Sequence, residues 1–124
     1  MKKFDDAPGE LRDSISEFWP IEEWDNAVSI SWLESGWNAF AVQDSRTSSA
    51  PCGTVISEVN GVRITAEWSI GWFQINACNI PWNWDPCNLY NTRHNCGTAH
   101  AMWAVRGWEP WLFSAQLLGL LPKT

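Results

Sequence analysis

Asn60 and Gly61, set between TVISEV and VRITAEW, form a strong two-residue hairpin signal in the middle of the chain. The segments on either side carry a different period. Leu11, Ile15 and Phe18 recur at helical spacing after Pro8 and Gly9, and Pro20 ends that run. From Ile21, the stretch IEEWDNAVSISWLESG places Trp24, Ala27, Val28, Ser31 and Leu33 near one helical face, with acids in the first turn and Gly36 as the stop. Residues 91 to 106 read as a helix stopped by Gly107, and a last apolar helix is expected from Pro110 to Leu121. Helices at both ends and a hairpin between them predict an α+β chain, mainly helical. Its 124 residues suffice for one domain, 1–124, and one core.

Tryptophan is the outlier in composition, with 11 Trp against one Tyr and five Phe. That is more indole than a core of this size needs, so some rings are expected to face a ligand. Trp24 and Trp103 fall in helical patterns and read as core, whereas Trp82, Trp84, Trp108 and Trp111 fit either place. A formal net charge of −6 without a basic cluster argues against nucleic acid as a partner. The longest apolar runs fall short of a membrane span. MKKFDDAPGELRD puts acids where a signal peptide needs an apolar stretch, so no signal peptide is expected in this chain. Cys52, Cys78, Cys87 and Cys96 form an even set that predicts two disulfides, with three pairings open, and an oxidising environment. His94 and His100 lie near them, but short CxxC pairs are lacking, so neither a metal nor another cofactor is expected.

Glu34 falls in the last turn of an apolar helix, beside Trp32 and Trp37 and close to Phe40. Apolar walls of that kind disfavour a charged carboxyl and let it keep a proton near neutral pH, as general acid catalysis requires. A lone Glu at a helix end is more often a solvated surface group, so this feature alone does not identify a site.

Four motifs taken in order carry more weight: ESGWNAFAV, SIGWFQIN, WDPCNLYNTR and GWEPW. The series resembles the soluble-lytic-transglycosylase and goose-type branch of the lysozyme superfamily, from about Val28 to Trp111. The resemblance implies a lysozyme-like fold and cleavage of the MurNAc-GlcNAc β-1,4 bond of peptidoglycan, with Glu34 as general acid and then base. It further implies that Gln74 and Asn76 hydrogen-bond the glycan across a cleft, with Ser69 contributing and Gly71 letting the backbone approach closely. Trp68 and Trp72 flank the cleft motif and are expected to stack on sugar rings; Tyr90 is expected to reach the cleft with its hydroxyl. The insert from Ser45 to Trp68 is longer than in relatives.

A hydrolase of this class needs a second carboxylate, ~5 to 5.5 Å away as nucleophile or ~6.5 to 9.5 Å away to activate water. Asp44, Glu58 and Glu67 are the candidates, and Glu67 precedes SIGWFQIN roughly where goose-type relatives place an acid. Lytic transglycosylases manage with the single Glu and release a 1,6-anhydro product, so hydrolysis and transglycosylation both remain open here. Two other readings stand beside the enzyme: a non-catalytic sugar-binding module, and a structural module of a virion or secretion machine on the same fold. The resemblance implies an extracellular, envelope or virion-associated chain, acting as a monomer or inside a larger lysis assembly.

Overall fold

The computed structural model describes residues 1–121. Helix α1, Gly9–Phe18, buries Leu11, Ser14 and Ile15 and packs along α3, Thr92–Arg106, whose own buried residues include Cys96 and Ala99. Helix α2, Trp24–Ser35, begins after a 3-10 turn over Ile21–Glu23 and ends at Gly36, whose φ of +63° is the left-handed stop expected from the sequence. It buries Ala27, Val28, Ile30 and Ser31, whereas Leu33, expected on that face, is exposed. The helix is therefore gripped over its middle, and its last turn stands at the edge of the core. Asn91 caps α3 by accepting from the His94 amide.

The last helix is shorter than the apolar run suggests. After a 3-10 turn at Glu109–Trp111, α4 spans Leu112–Leu117 and the chain then turns at Gly119, with φ +69°. Leu118, Leu120 and Leu121 pack back on the core, so hydrophobic burial ends the helix rather than extending it.

Strands β1 (Val42–Asp44), β4 (Trp68–Ile70) and β5 (Ile75–Asn76) form an antiparallel sheet in the order β1-β4-β5, pairing Gln43 with Ser69 and Ser69 with Asn76. Strands β2 (Val55–Val59) and β3 (Val62–Thr65) form the predicted hairpin as a separate two-stranded sheet. Asn60 and Gly61 both have positive φ, the conformation a tight hairpin turn requires. Every residue of β2 is exposed, so the hairpin projects from the body instead of lining the core.

Indole fills the centre. Trp19, Trp72, Trp108 and Trp111 are all buried together with Phe73, and Trp19 stacks on Trp108 at 6.1 Å between ring centroids. Trp111 Nε1 donates to the Phe73 carbonyl at 2.8 Å, so the polar atom of the ring is satisfied inside. Of the two disulfides expected, one forms, between Cys52 and Cys78; Cys87 is a free exposed thiol and Cys96 a free buried one. Burial pushes the Cys96 thiol well above its usual range, in keeping with an inert core side chain.

Candidate active site

The end of α2 is fastened to the turn between β4 and β5. Ser31 Oγ and Ser35 Oγ both donate to the Trp72 carbonyl, at 2.8 and 2.9 Å. From below, the fully buried Asn95 accepts from the Phe73 amide and donates to the carbonyls of Ile70 and Leu89. Gly71 sits where this turn approaches other backbone: a Cβ there would lie 2.6 Å from Asn95 Nδ2 and 2.8 Å from the Leu89 carbonyl oxygen. These bonds over-determine the turn, which is how Gln74 is held at a φ of +48°.

Glu34 is set by this clamp. Its carboxyl is half-buried, and Ser114 Oγ on α4 donates to Oε2 at 2.5 Å. Burial raises its pKa above the ordinary carboxylate value; the Ser114 hydrogen bond opposes that shift, and the negative charge of Glu67 adds to it. Glu67 is thus close enough for its charge to be felt at Glu34. Its backbone is tied to Ser45, whose amide donates to the Glu67 carbonyl at 2.9 Å while Ser45 Oγ accepts from the Glu67 amide at 2.9 Å.

The other sequence candidates separate into groups. Gln43, Ser69 and Asn76 form one cross-strand row, with Ser69 buried in its middle. Asn76 Oδ1 accepts from the amides of Trp68 and Cys78, which leaves its Nδ2 for a ligand. Gln74 Nε2 donates to the carbonyls of Ala41 and Gly71, so its amide nitrogen braces the turn and its carbonyl oxygen remains available. Trp72 is not a stacking surface: it is 3% exposed, and its Nε1 donates to Thr92 Oγ1 at 3.0 Å, because the segment that carries it turns inward beneath α2. Trp68 is half-buried under the Arg46 guanidinium, 4.2 Å from its ring centroid. Tyr90 stacks on the exposed ring of Phe40.

Asp44 engages Arg46 through both oxygens, at 2.9 and 2.7 Å, and this partner holds its pKa down to about 2. Glu58 lies on the projecting hairpin, opposite Arg63. Of the three second-carboxylate candidates, Glu67 is the one whose charge reaches Glu34.

Beside the sheet lies a groove of about 670 Å³, bordered by Ile75 and Asn76, the Ile80–Trp84 loop and the Thr98–Met102 face of α3. Trp84, 41% exposed, forms part of its wall, while Trp82 next to it is 96% exposed. Among the described residues, no group of three or more His, Cys, Asp or Glu side chains is arranged to hold a metal ion, and no helix is long and apolar enough to cross a membrane. Sequence reasoning missed Ser114, which lies 80 residues from Glu34 and just beyond the GWEPW motif, in an apolar run where a lone serine carries no signal of its own.

No protein-family model, curated protein or solved structure matches this chain.

Proposed function

We propose that this chain is a peptidoglycan-cleaving glycosidase with a lysozyme-like fold, in which Glu34 is the general acid and then the base. The observation that carries the reading is the setting of Glu34: a carboxyl at the end of a clamped helix, its pKa raised by burial and by the charge of Glu67. The four ordered motifs of the sequence supply the substrate class.

In this reading Glu34 protonates the glycosidic oxygen as the bond to the anomeric carbon breaks. For hydrolysis, water attacks that carbon while Glu67 takes its proton. For transglycosylation, the sugar's own 6-hydroxyl attacks, and the Glu34 carboxylate takes the hydroxyl proton. Asp44, neutralised by Arg46, takes no part in either route. The groove beside Trp84 offers a sugar ring a hydrogen bond from Asn76 Nδ2 and an apolar face from the indole. Peptidoglycan as substrate places the working chain outside the cytoplasm, at a cell envelope or in a virion that breaches one.

Trp82 favours a second reading, a sugar-binding module without turnover, since an indole this exposed serves no packing purpose. Digestion of purified peptidoglycan by the wild type and by Glu34→Gln separates the two. Mass spectrometry is expected to find soluble muropeptides from the wild type and at least a hundred-fold fewer from the variant, about the contribution of one acid–base group. Anhydro ends would mark a transglycosylase, and reducing ends a hydrolase. Binding of glycan by both proteins with release by neither would overturn the enzyme reading in favour of the module.

A further inference from the structure

We infer that Ser114, on the C-terminal helix α4, is a positioning residue that fixes the Glu34 carboxyl in the orientation from which it gives up its proton. The inference rests on the glycosidase reading above.

Ser114 is 5% exposed, and its Oγ lies 2.5 Å from Glu34 Oε2. A glutamate at a helix end ordinarily samples several side-chain rotamers, so a single buried hydroxyl at this distance selects one of them. The hydroxyl is itself rigidly carried. Trp111, just before α4, is pinned through Nε1 to the Phe73 carbonyl; Leu118 N donates to the Ser114 carbonyl, and Leu120 N to that of Ala115. Phe73 belongs to the same turn that receives Ser31 and Ser35 through the Trp72 carbonyl. Acid and hydroxyl are therefore referenced to one turn from opposite sides.

The contact ties one carboxyl oxygen, Oε2, to α4 while the acid carries the proton it gives to the leaving oxygen. Once that proton has gone to the leaving oxygen, the Ser114 bond stabilises the carboxylate that remains. Glu67 is the charged group whose field acts on Glu34 alongside this bond, and it acts in the opposite sense.

The test compares wild type, Ser114→Ala and Ser114→Thr on soluble glycan strands, with the Glu34 carboxyl titration followed by ¹³C NMR in the same proteins without substrate. Ser114→Ala is expected to lower kcat about ten-fold with KM little changed, the rate equivalent of losing one hydrogen bond to an ionised group. Its Glu34 titration and the alkaline limb of its pH–rate profile should both move to higher pH, and Ser114→Thr should restore kcat and the limb. Wild-type kcat and an unmoved titration in Ser114→Ala would overturn the inference while leaving the glycosidase reading intact. So would a loss confined to KM, or one that a folded Ser114→Thr protein fails to repair. A wild type that releases nothing from any strand would overturn both.

Discussion

Cys52 and Cys78 are joined by a disulfide that ties the insert between β1 and β4 to the turn following β5, across 26 residues of sequence. The hairpin carried by that insert contributes no buried side chain from β2, so the covalent bond replaces the apolar burial that would otherwise hold its base. Cys52→Ser is expected to cost about 3 kcal/mol, the effect of opening a loop of this size. Urea unfolding of the oxidised protein and the variant measures it. Because neither cysteine contacts Glu34, glycan cleavage below the melting transition should survive the change, and an equal fall in both properties would show the hairpin to be part of the cleft.

Asp44 ends β1 and Glu67 immediately precedes β4, but only Asp44 is held in an ion pair with Arg46. Asp44 is held ionised by Arg46 down to about 2, so it neither carries a proton in the working range nor accepts one readily. Asp44→Asn is expected to change the cleavage rate by less than roughly five-fold, the limit set by an exposed ion pair. Glu67→Gln is different. Removing its charge should lower the Glu34 pKa and draw the alkaline limb of the pH–rate profile downward, whichever product is formed. If reducing ends are the product, the rate itself should fall at least a hundred-fold. An unmoved limb would place Glu67 outside the reaction.

Gly71 combines a φ of +79° with a crowded site, where an added Cβ would press on Asn95 and on the Leu89 carbonyl. Gly71→Ala is expected to destabilise the fold by roughly 3 kcal/mol, from left-handed strain and overpacking together. Chemical denaturation gives the value. A cost below about 1 kcal/mol would mean that the turn relaxes readily and does not fix the Glu34 neighbourhood.

Much of the backbone was legible because it depends on local chemistry. Gly36 and Gly107 stop their helices and Asn60-Gly61 turns the hairpin, each by a preference that belongs to the residue itself. What the sequence left open was decided over long range. Trp72 shares a motif with Gln74 and Asn76, yet its ring turns inward to Thr92, and periodicity in so short a stretch does not report which ring does so. Trp108 and Trp111 resolve into core for the same reason. Two disulfides followed from counting cysteines, but Cys96 faces the core from α3 and has no partner there. Among Asp44, Glu58 and Glu67 the sequence offered no choice; the Arg46 pair on Asp44 and the charge of Glu67 acting on Glu34 appear only in the folded chain.

Trp84 tests the course of the glycan. It borders the groove next to Asn76, while its edge contact with His94 is peripheral to the core. In a Glu34→Gln background, Trp84→Ala is expected to weaken binding of a soluble glycan strand about ten-fold, the worth of one stacked ring. Calorimetric titration of both proteins reads this directly. Unchanged affinity with unchanged melting temperature would move the strand out of this groove.

Glu34 itself makes the last prediction, and the sign follows from linkage. Burial raises its pKa in the folded chain, so between the unfolded value, about 4.3, and the raised folded one the native state holds more protons than the unfolded state. The stability this contributes is fully present below the unfolded value and is lost as pH rises through the folded one. Above the unfolded value the wild type therefore bears the cost of holding this carboxyl in a desolvated place, where its charged form is disfavoured. Glu34→Gln removes that charge, and its amide oxygen can still accept from Ser114. The variant should melt a few degrees above the wild type near pH 7, and the gap should close towards pH 4, as calorimetry at the two pH values will show. A variant less stable than wild type near pH 7, or a gap that does not change with pH, would mean that the carboxyl is not desolvated, and the case for Glu34 as the acid would lose its main physical support.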